Sequence, residues 1–245
     1  MRIRGPNLNT FNRFKHRITR NIHGFQMFRS GMRVAVGASG GKDSTLLLYT
    51  LVRIREDMDG KLDLKAFRVI DPDSPCVQSA GLSEFVQWCK SLNVPFERIK
   101  PGVPDDAKGK EISACFRCAF RRREALFKAS YSQGYRVLAL GHTAFDLAVT
   151  ALMNLVYHAE LETMPPVMDF FDDKIRLIRP MFNIAEETVK RISRKLELPV
   201  PPPSCHRLVG QTRHRMEERV RELTRENRHA VPNILKAAKY FQDYS

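Results

Sequence analysis

The chain has 245 residues, 43% of them hydrophobic, a composition typical of a globular protein with a sizeable core. No apolar run approaches the roughly 20 residues that a membrane-spanning helix needs, so the sequence predicts no membrane partner. The formal net charge is +14, and residues 1–42 contain no Asp or Glu. This charge distribution favours RNA or DNA as a partner.

The number of cysteines and the composition of the N-terminus indicate the cellular compartment of the protein. Five cysteines, an odd number, without an apolar secretion signal argue against a disulfide framework and indicate a reducing compartment. An Arg-rich N-terminus free of acids is also typical of organellar transit peptides. We expect the cytoplasm.

Residues 1–30 are predicted to form a basic helical extension. Phe11, Phe14, Ile18 and Ile22 recur at helical spacing, which indicates an amphipathic helix whose apolar stripe docks on the main domain. Binding to a membrane surface is the alternative for such a stripe. The basic residues between the apolar ones are predicted RNA contacts: Arg13, Lys15, Arg17 and Arg20.

The stretch from residue 38 to residue 44 lies between a predicted strand at 32–36 and a helix that runs to about residue 55. Its two adjacent glycines let the backbone approach a ligand, and the first amides of a helix bind phosphate. The predicted nucleotide-binding residues of this loop are Ala38, Ser39, Gly40, Gly41, Lys42, Asp43 and Ser44. A Walker A loop has Ser or Thr where this chain has Asp43. The order instead resembles the PP-loop of ATP pyrophosphatases, although a Gly-Gly turn is also common for structural reasons alone.

Beyond this loop, strands and helices alternate. Further strands are predicted at 62–70, 94–99, 135–140 and 174–178, and helices at 81–92, 115–132, 147–158, 184–196, 212–227 and 232–244. This alternation predicts a Rossmann-like α/β fold with a central parallel sheet and helices on both faces. We expect a main domain at 31–200 and a C-terminal segment at 201–245.

Ligands of such folds bind beyond the carboxyl ends of the strands. Three predicted loops share that edge: the residue 38–44 loop, the loop that begins at Asp71, and Gly141-His142 with Asp146 at the next helix. Gly141 and His142 therefore join the predicted nucleotide site.

Cys115 and Cys118 form a CxxC at a predicted helix start, where the helix dipole favours thiolates. A redox pair, half of a zinc site and part of an iron–sulfur site all fit this spacing. Cys205, after a proline run, is a third candidate ligand, whereas Cys76 and Cys89 are expected to serve packing. Three thiolates with one open coordination position suit a catalytic cluster.

A run of three arginines follows the CxxC on the same predicted helix. Arg121, Arg122 and Arg123 suit either a solvated helix face or contact with RNA phosphate. The sequence favours neither.

Several motifs together resemble the tRNA 2-thiocytidine synthetase family of PP-loop enzymes, over nearly the whole chain. The marks are the basic helix before Gly31-Met32-Arg33-Val34, Ser-Gly-Gly-Lys-Asp-Ser at 39–44, the CxxC before arginines, Gly141-His142 with Asp146, Met164-Pro165-Pro166, Ile178-Arg179-Pro180, and the Pro-rich approach to Cys205. The chain departs from the family pattern at Ala144, where the family has a basic residue, and at Phe145, where it has a second aspartate.

The resemblance implies ATP-dependent thiolation of tRNA at cytidine 32. It implies that the base oxygen is adenylated and replaced by sulfur, with a 4Fe–4S cluster on Cys115, Cys118 and Cys205, and with ATP and Mg²⁺. Lys42, Asp43 and Asp146 are the expected catalytic residues, the two aspartates by holding magnesium or positioning groups. A sulfur donor such as a cysteine desulfurase is expected as a partner, and a homodimer is a further candidate assembly.

Two alternatives stay open at the level of the sequence. One is the same chemistry on another RNA base or on a small molecule. The other is a non-catalytic adenine-nucleotide-binding protein with a structural zinc.

Overall fold

The computed structural model describes residues 6–70, 81–102, 114–200 and 212–238. In these ranges the elements follow the chain as α1 (Pro6–Gly24), β1 (Arg33–Gly37), α2 (Lys42–Asp57), β2 (Asp63–Val69), α3 (Leu82–Ser91), β3 (Phe96–Ile99), α4 (Ala114–Ser132), β4 (Val137–Ala139), α5 (Ala144–His158), β5 (Val167–Phe170), β6 (Ile175–Ile178), α6 (Glu186–Lys195), α7 (Thr212–Glu226) and α8 (Ala230–Ala237). The predicted α/β fold is confirmed. None of the helices in these ranges is long and apolar enough to cross a membrane.

The strands form one sheet in the order β3-β2-β1-β4-β6-β5. Strand β1 lies between β2 and β4 and is parallel to both. The chain leaves β1 toward β2 on one side and reaches β4 on the other, so the strand order reverses beside β1. Such a switch point opens a crevice at the carboxyl ends of the strands. The loops after β1 and β4 flank that crevice.

Alternate residues of the central strand enter two separate cores, because successive side chains point to opposite faces of a sheet. Val34 and Val36 join the larger core, which contains residues from every described helix except α4. Ala35 joins a smaller core with Phe127 of α4. Helices therefore lie on both faces, as predicted, but α4 is the one described helix on the second face.

Helix α1 contributes its apolar stripe to the larger core, as its spacing predicts. Phe11, Phe14, Ile18 and Ile22 are at most 4% exposed. The buried Asn21 donates a 2.8 Å hydrogen bond to the carbonyl oxygen of Pro180, beyond β6. Helix α1 begins at Pro6, earlier than the pattern indicates. The domain boundaries at residues 30 and 200 remain predictions.

The predicted parallel sheet is confirmed at its centre, and one edge strand is antiparallel. Strand β5, which the sequence patterns missed, pairs antiparallel with β6. The hairpin turn places Phe171, Asp172 and Asp173 at φ between 54° and 60°. Hairpin turns usually have glycine at positions with this left-handed conformation. This turn has Phe and Asp instead, so its sequence lacks the usual glycine signal. Helix α8 also begins at Ala230, before the predicted start.

Candidate active site

The loop between β1 and α2 has the conformation of a phosphate cradle. Gly40 has φ of 87°, a left-handed conformation that favours glycine, and a Cβ there would lie 2.9 Å from Cζ of Arg68. Gly41 is the N-cap of α2, and no side chain caps this helix. Its first amides therefore retain their capacity to bind an anion.

Two hydroxyl groups stabilise the loop. The Oγ atoms of Ser39 and Ser44 lie 3.0 Å apart. Ser44 Oγ donates to the carbonyl oxygen of Gly41 at 3.1 Å, and the Gly41 N–H donates to Ser39 Oγ at 3.3 Å. These contacts hold residues 39–44 in a closed turn.

The Lys42 ammonium lies between two carboxylates. Its Nζ is 3.0 Å from Oδ2 of Asp43 and 3.3 Å from Oε1 of Glu186, at the start of α6. Burial lowers the pKa of Lys42, but the two carboxylates outweigh burial, so the pKa is raised. Lys42 is thus a firmly charged cation at the first turn of α2.

Asp43 retains coordinating capacity. Its Oδ1 is buried and accepts no hydrogen bond from the residues that the structure describes. Burial raises its pKa against the opposing effect of Lys42, and the nearby Asp146 and Glu186 raise it further. A divalent cation would satisfy this oxygen and offset the surrounding negative charge.

The loop after β4 approaches the cradle closely. A Cβ on Gly141 would lie 2.9 Å from the carbonyl carbon of Asp43 and 2.9 Å from the backbone nitrogen of Ser44. Both atoms belong to the backbone and have little freedom to move aside. Gly141 therefore sets the separation of the two loops.

We expect Gly141→Ala to push the cradle aside. The free energy of unfolding should fall by about 1–3 kcal/mol, the usual cost of overpacking, and nucleotide affinity should fall with it. Denaturant unfolding and ATP titration measure the two effects. Gly24→Ala is the control, since a Cβ there meets no atom within 4 Å. Equal stability of the two variants would contradict the close approach.

A cavity of about 250 Å³ lies between these loops. Its lining comes from the cradle, the ends of β2 and β4, α4 and α5: Gly37, Ala38, Ser39, Asp43, Ser44, Phe67, Val69, Arg122, Leu126, Leu140, Gly141, His142 and Asp146. Burial and the nearby Arg122 lower the pKa of Arg68, which lies behind the cradle. Two guanidinium groups, on Arg122 in the lining and on Arg68 behind the cradle, thus lie near the carboxylates of Asp43 and Asp146.

His142 is held by Arg179, whose Nε donates to its Nδ1 at 3.3 Å. Burial, the largest cause, lowers the pKa of His142 to about 4. Asp146 opposes this shift, whereas Arg179, Arg213 and Arg123 reinforce it. His142 is therefore neutral at pH 7.

Asp146 is the N3 residue of a capping box at the start of α5. Its Oδ2 accepts from the backbone N–H of Thr143 at 2.9 Å and from the Thr143 hydroxyl at 3.0 Å. Its Oδ1 lies 3.3 Å from the guanidinium of Arg213 on α7. Both oxygens have partners in this arrangement, and the two roles expected for Asp146, holding magnesium or positioning groups, remain predictions.

The two departures from the family pattern are buried. Ala144 is 7% and Phe145 is 9% exposed, and both belong to the larger core. The guanidinium of Arg221 lies 4.8 Å from the centre of the Phe145 ring. These side chains serve packing in this protein.

The cysteine predictions fall only partly on described residues. Cys118 is half-buried on α4, one turn before the cavity residue Arg122. The backbone of α4 places Cys115 on the same face as Cys118, because residues three apart share a helix face. The side chain of Cys115, together with Cys205 and Cys76, lies outside the described residues. In the described ranges no three His, Cys, Asp or Glu residues form a metal-sized group.

Cys89 is fully buried in the larger core. Burial raises the pKa of its thiol to about 12. It is therefore an inert packing residue, as expected.

The structure divides the predicted RNA contacts between two faces. Arg13, Arg17 and Arg20 are exposed on α1, whereas Lys15 forms a 2.6 Å ion pair with Asp57. The three arginines of α4 lie across the sheet and differ from one another. Arg121 donates to the carbonyl oxygen of Gly102, Arg122 lines the cavity, and Arg123 is exposed.

Four site residues were missed from the sequence: Arg68, Arg179, Glu186 and Arg213. Arg68 had a signal, because a charged residue within an apolar strand calls for an explanation. Arg179 belongs to the family motif Ile178-Arg179-Pro180, but the sequence indicated no role for it. Glu186 and Arg213 lie in ordinary charged helices and had no local signal.

Comparison with known proteins places this site in a family. The PP-loop domain model matches residues 13–231. The tRNA-cytidine(32) 2-sulfurtransferase of Bdellovibrio bacteriovorus is 31% identical over 225 residues, covering 91% of this chain and 84% of the relative. The enzyme of the same name from Coxiella burnetii strain RSA 493 is 29% identical over 226 residues, covering 91% of this chain and 87% of the relative.

A solved structure has the same fold. The U34-tRNA thiolase NcsA from Methanococcus maripaludis, solved with its 4Fe–4S cluster, matches with a TM-score of 0.78 and 20% identity over 96% of this chain and 80% of its own. At this identity the likeness concerns the fold alone. The PP-loop domain match, at residues 13–231, covers both loops of the cavity and the CxxC helix. The chain therefore belongs to the tRNA 2-thiocytidine synthetase-like family of PP-loop proteins.

Proposed function

We propose that the protein is an ATP-dependent tRNA sulfurtransferase that replaces the carbonyl oxygen of cytidine 32 with sulfur. The observation that carries this proposal is the shared cavity, in which the PP-loop and Arg122, one helical turn from Cys118, line the same space. This arrangement supports a proposal in which the nucleotide and the sulfur-bearing group act beside the same cavity. The named relatives support the substrate.

The cradle and Lys42 would bind the phosphates of ATP. The first amides of α2 and the Lys42 ammonium stabilise negative charge that develops at the α-phosphate when the base oxygen attacks. Pyrophosphate leaves, AMP remains on the base oxygen, and attack of sulfide on the carbon releases AMP. Asp43 is the proposed magnesium ligand, through its unsatisfied Oδ1.

Cys115, Cys118 and Cys205 are the proposed ligands of a 4Fe–4S cluster. Their thiolates have the chemistry that such clusters require, and the common face of Cys115 and Cys118 on α4 fits this role. When bound, a cluster with three protein thiolates supplies an iron with an open position that accepts sulfur. The same helix face continues to Arg122, so α4 joins the cysteines to the cavity.

The exposed arginines of α1 are the proposed contact with the tRNA body. Replacing Arg13 and Arg20 with Ala should lower the slope of log affinity against log salt by about one unit for each lost phosphate contact. Filter binding over a salt series measures this slope. Removing the whole of residues 1–30 is unsuitable, since α1 fills the core.

Arg219→Ala provides a control for the arginine substitutions. Arg219 is exposed on α7 but already pairs with Glu222 at 2.9 Å. The slope should not change in this variant. An unchanged slope in the Arg13 and Arg20 variant would assign the RNA contact to another surface, with the arginines of α4 as the next candidates.

We further propose a cytoplasmic location, a cysteine desulfurase as the sulfur donor and a homodimer as the assembly. The decisive test of function is nucleoside mass analysis of tRNA from cells with and without the protein. Loss of 2-thiocytidine supports the proposal. Iron and zinc analysis of protein purified without oxygen separates it from a zinc-bearing nucleotide sensor.

A further inference from the structure

The contact between Arg179 and His142 has no part in the reaction described above. Arg179 is 6% exposed, just beyond β6. Its Nη1 donates to the carbonyl oxygen of Pro165 at 2.5 Å. The backbone N–H of Arg179 donates to the carbonyl oxygen of Pro166 at 2.8 Å. These bonds hold the guanidinium in place while Nε donates to Nδ1 of His142.

This geometry decides where the proton of His142 lies. A guanidinium can only donate hydrogen bonds, so the Nδ1 that accepts from Arg179 carries no proton. The neutral imidazole therefore carries its proton on Nε2. The charged groups around the ring are Asp146 on α5, Arg123 on α4, Arg213 on α7 and Arg179 itself. Three of the four are cations, which oppose a second proton.

We propose that Arg179 is a positioning residue that holds His142 as the neutral Nε2–H tautomer, and that this N–H donates to a phosphate oxygen of the nucleotide in the cavity. The nucleotide's identity rests on the proposed function. The tautomer does not.

A phosphate oxygen is the acceptor that the cavity favours. His142 and the phosphate cradle line the same space, together with Arg122. A neutral donor adds a hydrogen bond without adding a further cation beside Arg122 and Arg179. Its hydrogen bond strengthens as negative charge grows on the phosphate during attack.

Nitrogen-15 NMR of the histidine rings tests the tautomer without turnover. The signal of His142 is assigned by its loss in His142→Gln. We expect an unprotonated Nδ1 and a protonated Nε2 at pH 7. In Arg179→Met the ring should show a second tautomer or take up a proton at higher pH. Arg176→Met is the control, because Arg176 lies on β6, three residues before Arg179, and pairs with Asp169.

A protonated Nδ1 in the unaltered protein would overturn the proposal. So would an identical ring spectrum in folded Arg179→Met. Should Arg179→Met not fold, the spectrum of the unaltered protein still decides the tautomer. The ring spectrum can be measured without turnover, so it still reports the tautomer of His142 if the protein proves not to be a tRNA sulfurtransferase.

A pair of substitutions tests the donor during turnover. The amide nitrogen of Gln can take the place of Nε2, and that of Asn the place of Nδ1. We expect His142→Asn to lose about 100-fold in kcat for pyrophosphate release, the effect of removing one preorganised donor, and His142→Gln to stay within about tenfold. Equal losses in both would overturn the Nε2 assignment. If His142→Asn kept its kcat and only its affinity for tRNA fell, the assignment of a phosphate oxygen as the acceptor would be overturned.

Discussion

Lys42→Ala should abolish ATP-dependent turnover and leave the fold intact. The ammonium is the cation at the first turn of α2, and its raised pKa keeps it charged. Removing a preorganised charge from the reacting phosphate lowers kcat by at least about 100-fold. Pyrophosphate release with tRNA present is the measurement.

The fold should survive because the side chain packs little. The Lys42 side chain is 29% exposed and forms ion pairs with the carboxylates of Asp43 and Glu186. Partly exposed ion pairs of this kind contribute about 0–1 kcal/mol to stability. Lys128→Ala is the matched control, since Lys128 is 73% exposed on α4 and pairs with Glu124 one helical turn away. Near-normal pyrophosphate release in Lys42→Ala would contradict the role of the cradle.

Cys205→Ser and Cys118→Ser should each lose the broad visible absorbance of an iron–sulfur cluster and all thiolation. Each substitution removes one of the three proposed thiolates, and iron–sulfur clusters are held in proteins by such thiolates. ATP binding should persist, because the cradle is built from residues 38–44. Anaerobic reconstitution with iron and sulfide analysis gives the cluster content.

Cys89→Ser serves as the control for these variants. Cys89 is buried in the larger core, and the pKa of its thiol is raised to about 12, so it offers no thiolate. Cluster content and thiolation should both be normal. A complete four-iron cluster in Cys205→Ser would exclude the three-cysteine model and make Cys76 the next candidate ligand.

The nucleotide cradle was predictable because it is encoded locally. The residues from Gly37 to Ser44 are contiguous, and a strand, a glycine turn and a helix follow directly from their order. The same holds for the apolar stripe of α1, where helical spacing alone predicts the buried face. The parallel sheet follows from the alternation of elements, although its antiparallel edge does not, because the turn at 171–173 uses left-handed residues without glycine.

The chemistry of the site depends on contacts between distant parts of the chain. Glu186 reaches Lys42 across 144 positions, and Arg179 reaches His142 across 37. Periodicity reports which face of an element is buried, but not which element packs against it. The sequence by itself therefore determined the cradle, the fold class and the candidate cysteines. The tertiary structure alone decided which charges surround Lys42, which nitrogen of His142 carries the proton, and that the two basic surfaces lie on opposite faces of the sheet, since each depends on how separate elements pack together.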